Sequence, residues 1–293
     1  MKPPVFDYLA PETLDEALAA LRQHGWGAKV LAGGQSLIPL LNFRLAEPSV
    51  LVDLNRIESL DYVRESDSGG LLIGGMTRVR TLERDSRVAE IAPLLTEAVP
   101  WIAHPQIRNR GTVGGSLAHA DPAAELPVLA VALDATVRIR GASGERAVTA
   151  ADFFVGLMTT DLAPDELLIE VEIPPMLART GWGFVEIARR KGDYAQAGVA
   201  AVVTLDGDGS VSNARLVYLT AGEVPTPAPR ATTILQQEGL TEESIRAAAA
   251  VAAHEEIEPT DDIHASAEFK RHLAEVVTRR ALAAARERAL EPR

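Results

Sequence analysis

The chain has 293 residues, a formal net charge of −12 and no cysteine, so it is long enough for two or three modest domains but forms no disulfide, thiolate metal site or iron–sulfur cluster of its own. Its acidic balance argues against a broad nucleic-acid surface, which would need clustered lysine and arginine. The sequence has no apolar run as long as a membrane span and no apolar signal region at its start, so we expect a cytoplasmic protein.

The first block of the chain has a strand–helix–strand character. Thr13 is placed to cap a helix whose apolar residues recur at helical spacing and which ends near Gly25. Short apolar strands are predicted at residues 29–32 and 50–54. The first of these strands leads directly into a pair of glycines.

Two further blocks follow, separated where Pro174-Pro175 ends a strand. In the middle block we predict strands at 70–75, 136–140, 145–149 and 167–173, and helices at 81–85, 89–99 and 126–133. In the last block we predict strands at 183–188, 197–205 and 214–219, a stiff connector at 225–229, and helices at 242–254 and 267–289. The predicted fold class is α+β.

Two glycine-rich turns lie about eighty residues apart. The first contains Gly33-Gly34 and the second contains Gly114-Gly115, and each ends in Ser-Leu. Glycine lets backbone amides approach a ligand where a Cβ would collide, and successive exposed amides form a nest for phosphate. The pair of turns therefore predicts a diphosphate that is held from both sides.

Other interpretations of these residues remain open at this stage. A glycine pair after a strand is more often a tight connection than a phosphate site. The chain has no Gly-x-Gly-x-x-Gly after a strand, no Gly-Lys-Ser/Thr phosphate loop and no Gly-x-Ser-x-Gly nucleophile elbow. We expect Arg108 and Arg110 to form exposed salt bridges, His104 and His119 to do no acid–base chemistry, and residues 261–264 to bind no metal.

Two more motifs follow the glycine turns along the chain. One is the continuation of the second turn at residues 121–127, and the other is a loop at residues 189–195. With these motifs, the chain resembles the FAD-binding medium subunit of molybdenum hydroxylases, the family of xanthine dehydrogenase and aerobic carbon monoxide dehydrogenase. The resemblance implies a two-subdomain FAD-binding fold of the vanillyl-alcohol-oxidase (PCMH) type, with subdomains at 1–56 and 57–175. It also implies a C-terminal domain of antiparallel sheet and helices at 176–293.

The resemblance further implies non-covalent FAD binding in this chain. The first turn would hold the diphosphate through backbone donors, and the second would hold it from the neighbouring subdomain. Glu125 would face ribose or ribityl hydroxyls, Ile102 and Leu168 would lie near the cofactor rings, and Asp193 and Tyr194 would approach the isoalloxazine ring. The implied cofactor-binding set is Leu31, Ala32, Gly33, Gly34, Gln35, Ser36, Leu37, Ile102, Gly111, Thr112, Gly114, Gly115, Ser116, Glu125, Leu168, Asp193 and Tyr194.

Some of these residues also have structural interpretations. Glu125, near a helix start together with Asp121, could simply favour the helix dipole, and Tyr194 could be an ordinary half-buried tyrosine. One position departs from the family, because Glu186 stands where several relatives have a lysine close to the flavin.

The function implied is that of an electron-transfer subunit with no catalytic side chain and no metal ligand of its own. A small subunit with two iron–sulfur clusters would supply electrons, a large subunit would carry the molybdenum-pterin cofactor, and an external acceptor would remove the electrons. The assembly implied is a dimer of heterotrimers, with the inner face of the membrane as one place where it could meet its acceptor. Two alternatives are a self-sufficient FAD oxidoreductase of the same fold and a scaffold subunit that has lost FAD.

Overall fold

We describe the protein from a computed structural model that covers residues 2–291. Within these residues, helices and strands occur in three parts built on a three-stranded, a five-stranded and a four-stranded sheet, and a two-stranded hairpin lies beside them. The first sheet is parallel and the other two are antiparallel. The predicted α+β class is confirmed.

The first part is a small parallel sheet covered by one amphipathic helix. The Thr13 hydroxyl caps this helix by accepting a 3.3 Å hydrogen bond from the Glu16 amide, as predicted. The helix buries Ala17, Leu18 and Leu21 against the sheet, whose central strand is β3. The elements are β1 (Asp7–Leu9), α1 (Leu14–His24), β2 (Ala28–Leu31), α2 (Leu37–Asn42) and β3 (Val50–Asp53).

The second part is built on a sheet with the strand order β4-β5-β10-β6-β7, and its helices pack over a large apolar core. The predicted strands at 136–140, 145–149 and 167–173 and the predicted helix at 126–133 are confirmed. Its elements are β4 (Val63–Glu65), β5 (Leu71–Gly74), α3 (Val79–Arg84), α4 (Ser86–Ile91), α5 (Pro93–Ala98), α6 (Pro105–Arg108), α7 (Val113–His119), α8 (Glu125–Ala132), β6 (Thr136–Gly141), β7 (Gly144–Thr149), α9 (Ala150–Phe153), β8 (Phe154–Gly156), β9 (Thr159–Thr160) and β10 (Leu167–Ile173).

Two predictions in this part were wrong in detail. The single helix expected at 89–99 is divided into α4 and α5, because Pro93 lacks the amide proton that a helix interior needs and instead occupies the first turn of α5. The second glycine pair does not form a turn. It lies in the first turn of α7, where Thr112 caps the helix by accepting a hydrogen bond from the Gly115 amide.

The third part is a sheet of order β11-β12-β13-β14, with helices of its own on one face and α8 of the second part against it. Its elements are β11 (Thr180–Ile187), β12 (Ala197–Leu205), β13 (Val211–Leu219), β14 (Thr226–Pro227), α10 (Pro229–Glu238), α11 (Glu242–Val251), which continues as a π-helical turn at Ala252–Glu256, and α12 (Ala267–Leu290). The stiff connector predicted at 225–229 is instead strand β14 and the start of α10, in which Pro229 occupies the first turn.

The long helix α12 lies directly on strand β11. A Cβ built on Gly183 would come within 2.4 Å of the Ala281 carbonyl oxygen, and one on Gly181 would collide with the Ala285 carbonyl oxygen. Glycine is therefore required at both strand positions for this close approach. Although α12 has 24 residues, no helix within residues 2–291 has the length and apolar character to cross a membrane.

One acidic side chain joins the second part to the third. Glu97 of α5 accepts hydrogen bonds from the Trp182 indole at 3.1 Å, from the Phe184 amide at 3.3 Å and from the Arg288 guanidinium at 2.5 Å. Residues of β11, β12 and β13 also belong to the apolar core of the second part. The two parts thus share one core, although the predicted domain limits at 56 and 175 stay a prediction.

Candidate cofactor site

The first glycine segment, residues 33–36, connects β2 to α2 and exposes a row of backbone donors. Within the part of the chain that the structure describes, the amides of Gly33, Gly34, Gln35 and Ser36 have no acceptor. The Gln35 side-chain amide donates a 2.9 Å hydrogen bond to the Gly33 carbonyl oxygen, which closes the turn, and Gly34 adopts φ 73°. Consecutive unpaired amides of this kind form a nest for an anion.

The second glycine segment, residues 110–116, lies against the first. A Cβ built on Gly33 would come within 2.3 Å of the Arg110 carbonyl oxygen, and one on Gly115 would lie 3.3 Å from the Ala32 Cβ. The structure therefore brings together the two segments that the sequence predicted to act together.

The second segment does not offer a second row of free amides. Its Gly114 amide donates to the Gly75 carbonyl oxygen at 2.8 Å, and its Gly115 amide donates to the Thr112 hydroxyl at 3.1 Å. Gly114 is needed for packing, because a Cβ there would come within 2.7 Å of the Gly75 oxygen. The symmetrical pair of nests predicted from the sequence is thus corrected, because only the first segment presents a row of free amides.

Two residues that the sequence analysis missed hold the segments in place. Asn55 donates from its side-chain amide to the Ala32 carbonyl oxygen at 2.9 Å, and Arg78 donates to the Arg110 carbonyl oxygen at 2.6 Å. The two side chains are also bonded to each other, and the Asp53 carboxylate accepts from the Asn55 amide at 2.9 Å. An Asp-x-Asn sequence at a strand end was the available signal, because such side chains bond to nearby backbone.

A buried arginine supports the segment that contains Ile102. Arg108 is only 5% exposed and donates to the carbonyl oxygens of Ile102 at 2.8 Å and Ala103 at 3.1 Å, while its Nε lies 3.0 Å from a carboxylate oxygen of Glu83. These bonds hold Ala103 at φ 43°, a conformation that non-glycine residues rarely adopt.

The expectation of exposed salt bridges for the two arginines was therefore wrong. The guanidinium of Arg108 is required inside the fold, where it satisfies two backbone carbonyls. Arg110 is exposed but forms no ion pair among the described residues.

The loop that carries Asp193 and Tyr194 lies against the same segment. A Cβ built on Gly192 would come within 2.6 Å of the Ala103 carbonyl oxygen and 2.9 Å of the His104 Nδ1. Tyr194 is 70% exposed, so the half-buried interpretation was wrong. Partial desolvation is the first cause that raises the Tyr194 pKa, and the nearby acidic groups, foremost Asp121, raise it further.

Two acids, the half-buried Glu125 and the buried Glu186, lie where the second and third parts meet. Burial is the main reason that the pKa of Glu125, at the start of α8, is raised to about 7. Burial, and then the charge of Glu125, raise the pKa of Glu186 on β11 to about 8. Leu168 is buried in the neighbouring core, and its carbonyl oxygen would lie 2.6 Å from a Cβ on Gly75.

The other polar residues considered in the sequence analysis, His119 and Asp262, interact with the surrounding protein. Burial lowers the pKa of His119, which favours its neutral form. Asp262 accepts a 2.6 Å hydrogen bond from Lys270, and no group of three or more His, Cys, Asp or Glu residues in the described chain is arranged to hold a metal ion. The row of unpaired amides at residues 33–36 therefore remains the feature suited to a ligand that contains a diphosphate.

Two family models match the chain. The one described as the FAD binding domain in molybdopterin dehydrogenase matches residues 4–176, and the one described as the CO dehydrogenase flavoprotein C-terminal domain matches residues 182–285. The first match contains both glycine segments, the Asn55–Arg78 pair and Glu125. The second contains Glu186 and the loop with Tyr194.

Individual relatives match over almost their full length. The 6-hydroxypseudooxynicotine dehydrogenase complex subunit alpha of Paenarthrobacter nicotinovorans is 44% identical, covering 99% of this chain and 97% of the relative. The carbon monoxide dehydrogenase medium chain of Hydrogenophaga pseudoflava is 39% identical, covering 97% and 98%. Among solved structures, carbon monoxide dehydrogenase from Hydrogenophaga pseudoflava lacking the Mo-pyranopterin moiety of its molybdenum cofactor superposes with a TM-score of 0.95 at 40% identity, covering 98% of this chain and 99% of that chain.

Proposed function

The chain belongs to the family of FAD-binding medium subunits of molybdenum hydroxylases, and on that premise we propose how its own residues hold FAD and where its electrons come from. The chain is the FAD-carrying subunit of a multisubunit oxidoreductase of the carbon monoxide dehydrogenase and xanthine dehydrogenase type. Bound FAD supplies a group that exchanges electrons singly with one-electron carriers and in pairs with two-electron carriers.

The observation that carries the binding proposal is the row of unpaired amides at residues 33–36. These donors fit the diphosphate of FAD, because consecutive unpaired amides form a nest for an anion. Gly33 and Gly34 have no side chain, so a ligand can approach the backbone there. The Ser116 hydroxyl would donate to the same diphosphate from the second segment. The backbone around Leu31, Ala32, Leu37, Gly111 and Thr112 sets the positions of these donors.

The remaining predicted residues would surround the other end of the cofactor. Glu125 would bind hydroxyls of the sugar or ribityl chain, Ile102 and Leu168 would provide apolar surface, and the loop of Asp193 and Tyr194 would cover an exposed face. These assignments are supported by the contact between that loop and the segment that Arg108 holds. None of these side chains is proposed to transfer protons to substrate.

Partner subunits follow from what this chain cannot carry. With no cysteine in the sequence, it provides no thiolate ligands for an iron–sulfur cluster. We therefore infer that a small subunit with two iron–sulfur clusters supplies electrons and that a large subunit with the molybdenum-pterin cofactor oxidises the substrate. We further propose a dimer of heterotrimers, an external electron acceptor and a cytoplasmic location.

Two alternatives predict different properties. A self-sufficient FAD oxidoreductase would need its own substrate site and proton donor, whereas the full-length relatives named above are a complex subunit and a medium chain. A scaffold without FAD would have no need for a row of unpaired amides. The relatives' names point to different substrates at similar identity, so the substrate is expected to be chosen by a different subunit.

The test is a visible absorbance spectrum of the chain purified together with the products of its neighbouring genes. We expect flavin bands, FAD released on denaturation, and iron–sulfur absorbance that co-purifies in a fixed ratio. Flavin without any partner would favour the self-sufficient enzyme. A folded, colourless protein that takes up no added FAD would overturn the proposal.

A further inference from the structure

Tyr8 lies on the edge strand β1 and has an exposed ring but a hydrogen-bonded hydroxyl. The residue is 55% exposed, and its hydroxyl donates to the Oδ2 atom of Asp53 at 2.5 Å. Strand β1 runs parallel to β3 with Tyr8 opposite Leu51, so the tyrosine reaches the point where β3 ends at Asp53. A ring that buries so little surface contributes little by packing, and the contact of its hydroxyl is therefore the one to explain.

The Asp53 carboxylate links Tyr8 to the first glycine segment. Its other oxygen, Oδ1, accepts hydrogen bonds from the backbone amide of Asn55 at 2.9 Å and from the side-chain amide of Asn55 at 2.5 Å. The same side-chain nitrogen of Asn55 donates to the Ala32 carbonyl oxygen at 2.9 Å. A continuous series of hydrogen bonds thus joins the Tyr8 hydroxyl to the carbonyl that precedes the row of unpaired amides at residues 33–36.

The Ala32 carbonyl and the Gly33 amide belong to one peptide unit. A trans peptide unit is planar, so its C=O and N–H bonds point in opposite directions, and the described chain has no cis peptide bond. A side chain that fixes the direction of the Ala32 carbonyl therefore also fixes the direction of the first donor of the row. The next unit is held in the same way, because Gln35 donates to the Gly33 carbonyl oxygen at 2.9 Å and so sets the direction of the Gly34 amide.

Two cations accompany the acid in this series. Partial burial raises the pKa of the Asp53 carboxyl, but hydrogen bonds from Tyr8 and Asn55 and the charge of Arg110 outweigh that effect, so the pKa lies below its ordinary value. Asp53 is therefore ionised near neutral pH. Arg78 donates to the Asn55 side-chain oxygen at 2.7 Å, which leaves the side-chain nitrogen of Asn55 as the donor to the glycine segment. The two guanidinium charges offset the charge of Asp53 near the anion site.

We propose that Tyr8 is a positioning residue for FAD, which acts through Asp53 and Asn55 on the direction of the Gly33 amide. This inference rests on the proposed function, since it requires a diphosphate on the row of amides. The Tyr8 hydroxyl holds the carboxylate of Asp53 in one orientation. Without the hydroxyl the carboxylate is less restrained, and Asn55 shifts with it because both of its amide groups are bonded to the same oxygen.

The experiment is an equilibrium titration of the complex, freed of FAD and then titrated with FAD. Tyr8→Phe removes only the hydroxyl. Tyr62→Phe is the matched control, since the Tyr62 hydroxyl also donates to a carboxylate, that of Glu170 in the second part, at 2.6 Å. Tyr8→Phe is expected to raise the dissociation constant about three- to tenfold, the range that corresponds to one hydrogen bond, and Tyr62→Phe is expected to change it at most about twofold.

A double-mutant cycle tests whether Tyr8 acts through Asp53. In the Asp53→Asn background the hydroxyl has no carboxylate to hold, so adding Tyr8→Phe should raise the dissociation constant at most about twofold. An equal fold-loss from Tyr8→Phe with and without Asp53→Asn would overturn the inference. Tyr8→Phe that binds FAD as tightly as Tyr62→Phe does would also overturn it, a comparison that stands even when Asp53→Asn retains no FAD.

Hydrogen–deuterium exchange of residues 32–37, measured in the complex with saturating FAD, reads the row of amides directly. Exchange should be at least about threefold faster in Tyr8→Phe than in Tyr62→Phe, because misaligned amides bond less well to the diphosphate. Equal exchange in the two variants would overturn the positioning role. Failure of the unmodified complex to bind FAD at any concentration would instead overturn the proposed function.

Discussion

Arg78 and Asn55 are joined by a 2.7 Å hydrogen bond from the Arg78 guanidinium to the Asn55 side-chain oxygen. Each also holds a different glycine segment, Asn55 through the Ala32 carbonyl oxygen and Arg78 through the Arg110 carbonyl oxygen. The pair therefore fixes the separation of the two segments without being part of either. We expect the pair to affect FAD binding indirectly, because it fixes the position of the amide row at residues 33–36.

Replacing Arg78 with alanine is expected to weaken FAD binding at least about tenfold, because loss of a well-placed contact shifts the donors away from the diphosphate. It should also cost about 1–3 kcal/mol of unfolding free energy by leaving partly buried acceptors unpaired. Lysine should not restore binding, since one ammonium does not reproduce the planar fork that reaches two acceptors. FAD titration and urea unfolding measure both effects.

Arg22→Ala on the exposed face of α1 is the control for removal of one positive charge. If Arg78→Ala retained FAD as tightly as Arg22→Ala does, the pair would not position the site.

Gly33→Ala is expected to abolish FAD retention. The added Cβ would come within 2.3 Å of the Arg110 carbonyl oxygen, which is backbone and has no free rotation with which to move away. The two segments would have to separate, and the amides beside Gly33 would lose their alignment. Flavin content after purification is the measurement.

Gly207→Ala is the matched control, since a Cβ there meets nothing within 4 Å. Full flavin content in both variants would contradict the close approach of the segments. Loss of flavin in Gly33→Ala alone, in a chain with an unchanged circular dichroism spectrum, is the expected result.

Local sequence signals predicted the local structure well. Thr13 identified the start of α1, and a continuous run of mostly apolar residues identified β12 at the residues where it occurs. Glycine pairs identified both segments, although the second is a helix start, because a capping threonine there outweighs the low helix propensity of glycine.

The parts of the site that sequence did not predict depend on contacts between distant residues. Arg108 looks like a surface residue in a basic stretch, and only the fold shows that its charge faces buried carbonyls. Glu125 and Glu186 are sixty-one positions apart by their numbers, and their meeting depends on how α8 packs against the third part. Such relationships arise from tertiary packing, which single-sequence patterns do not encode.

Glu97→Ala is expected to destabilise the contact between the second and third parts. The substitution removes the acceptor of the Trp182 indole and leaves the Arg288 guanidinium without its carboxylate. Hydrogen bonds to charged groups contribute about 1.5–3 kcal/mol, and we expect the loss to lie at the lower end because the Glu97 side chain is 28% exposed. Urea unfolding followed by tryptophan fluorescence measures it.

Glu90→Ala, on the exposed face of the neighbouring helix α4, removes an equal charge without this contact. Equal midpoints for Glu97→Ala and Glu90→Ala would show that Glu97 does not join the two parts. We expect the urea midpoint of Glu97→Ala to lie below that of Glu90→Ala. The midpoint of Glu90→Ala should be close to that of the unmodified chain.

The FAD-free chain is expected to lose stability as the pH rises from about 5 to about 8.5, because the fold raises the pKa values of Glu125 and Glu186. The folded-state pKa values of Glu125 and Glu186, about 7 and about 8, lie above the ordinary glutamate value of 4.5. In that window the folded state binds more protons than the unfolded state, so unfolding releases protons and a higher pH favours it. At still higher pH the full cost of the buried charges is present.

The difference between the unmodified chain and Glu186→Gln isolates this effect from other titrations. Both should have similar thermal midpoints at about pH 5, where Glu186 is protonated in the folded state, and Glu186→Gln should be the more stable at about pH 8.5, where only the unmodified chain bears the buried charge. A difference that is constant across this range, or one that favours the unmodified chain as the pH rises, would mean that Glu186 is solvated or paired with a cation.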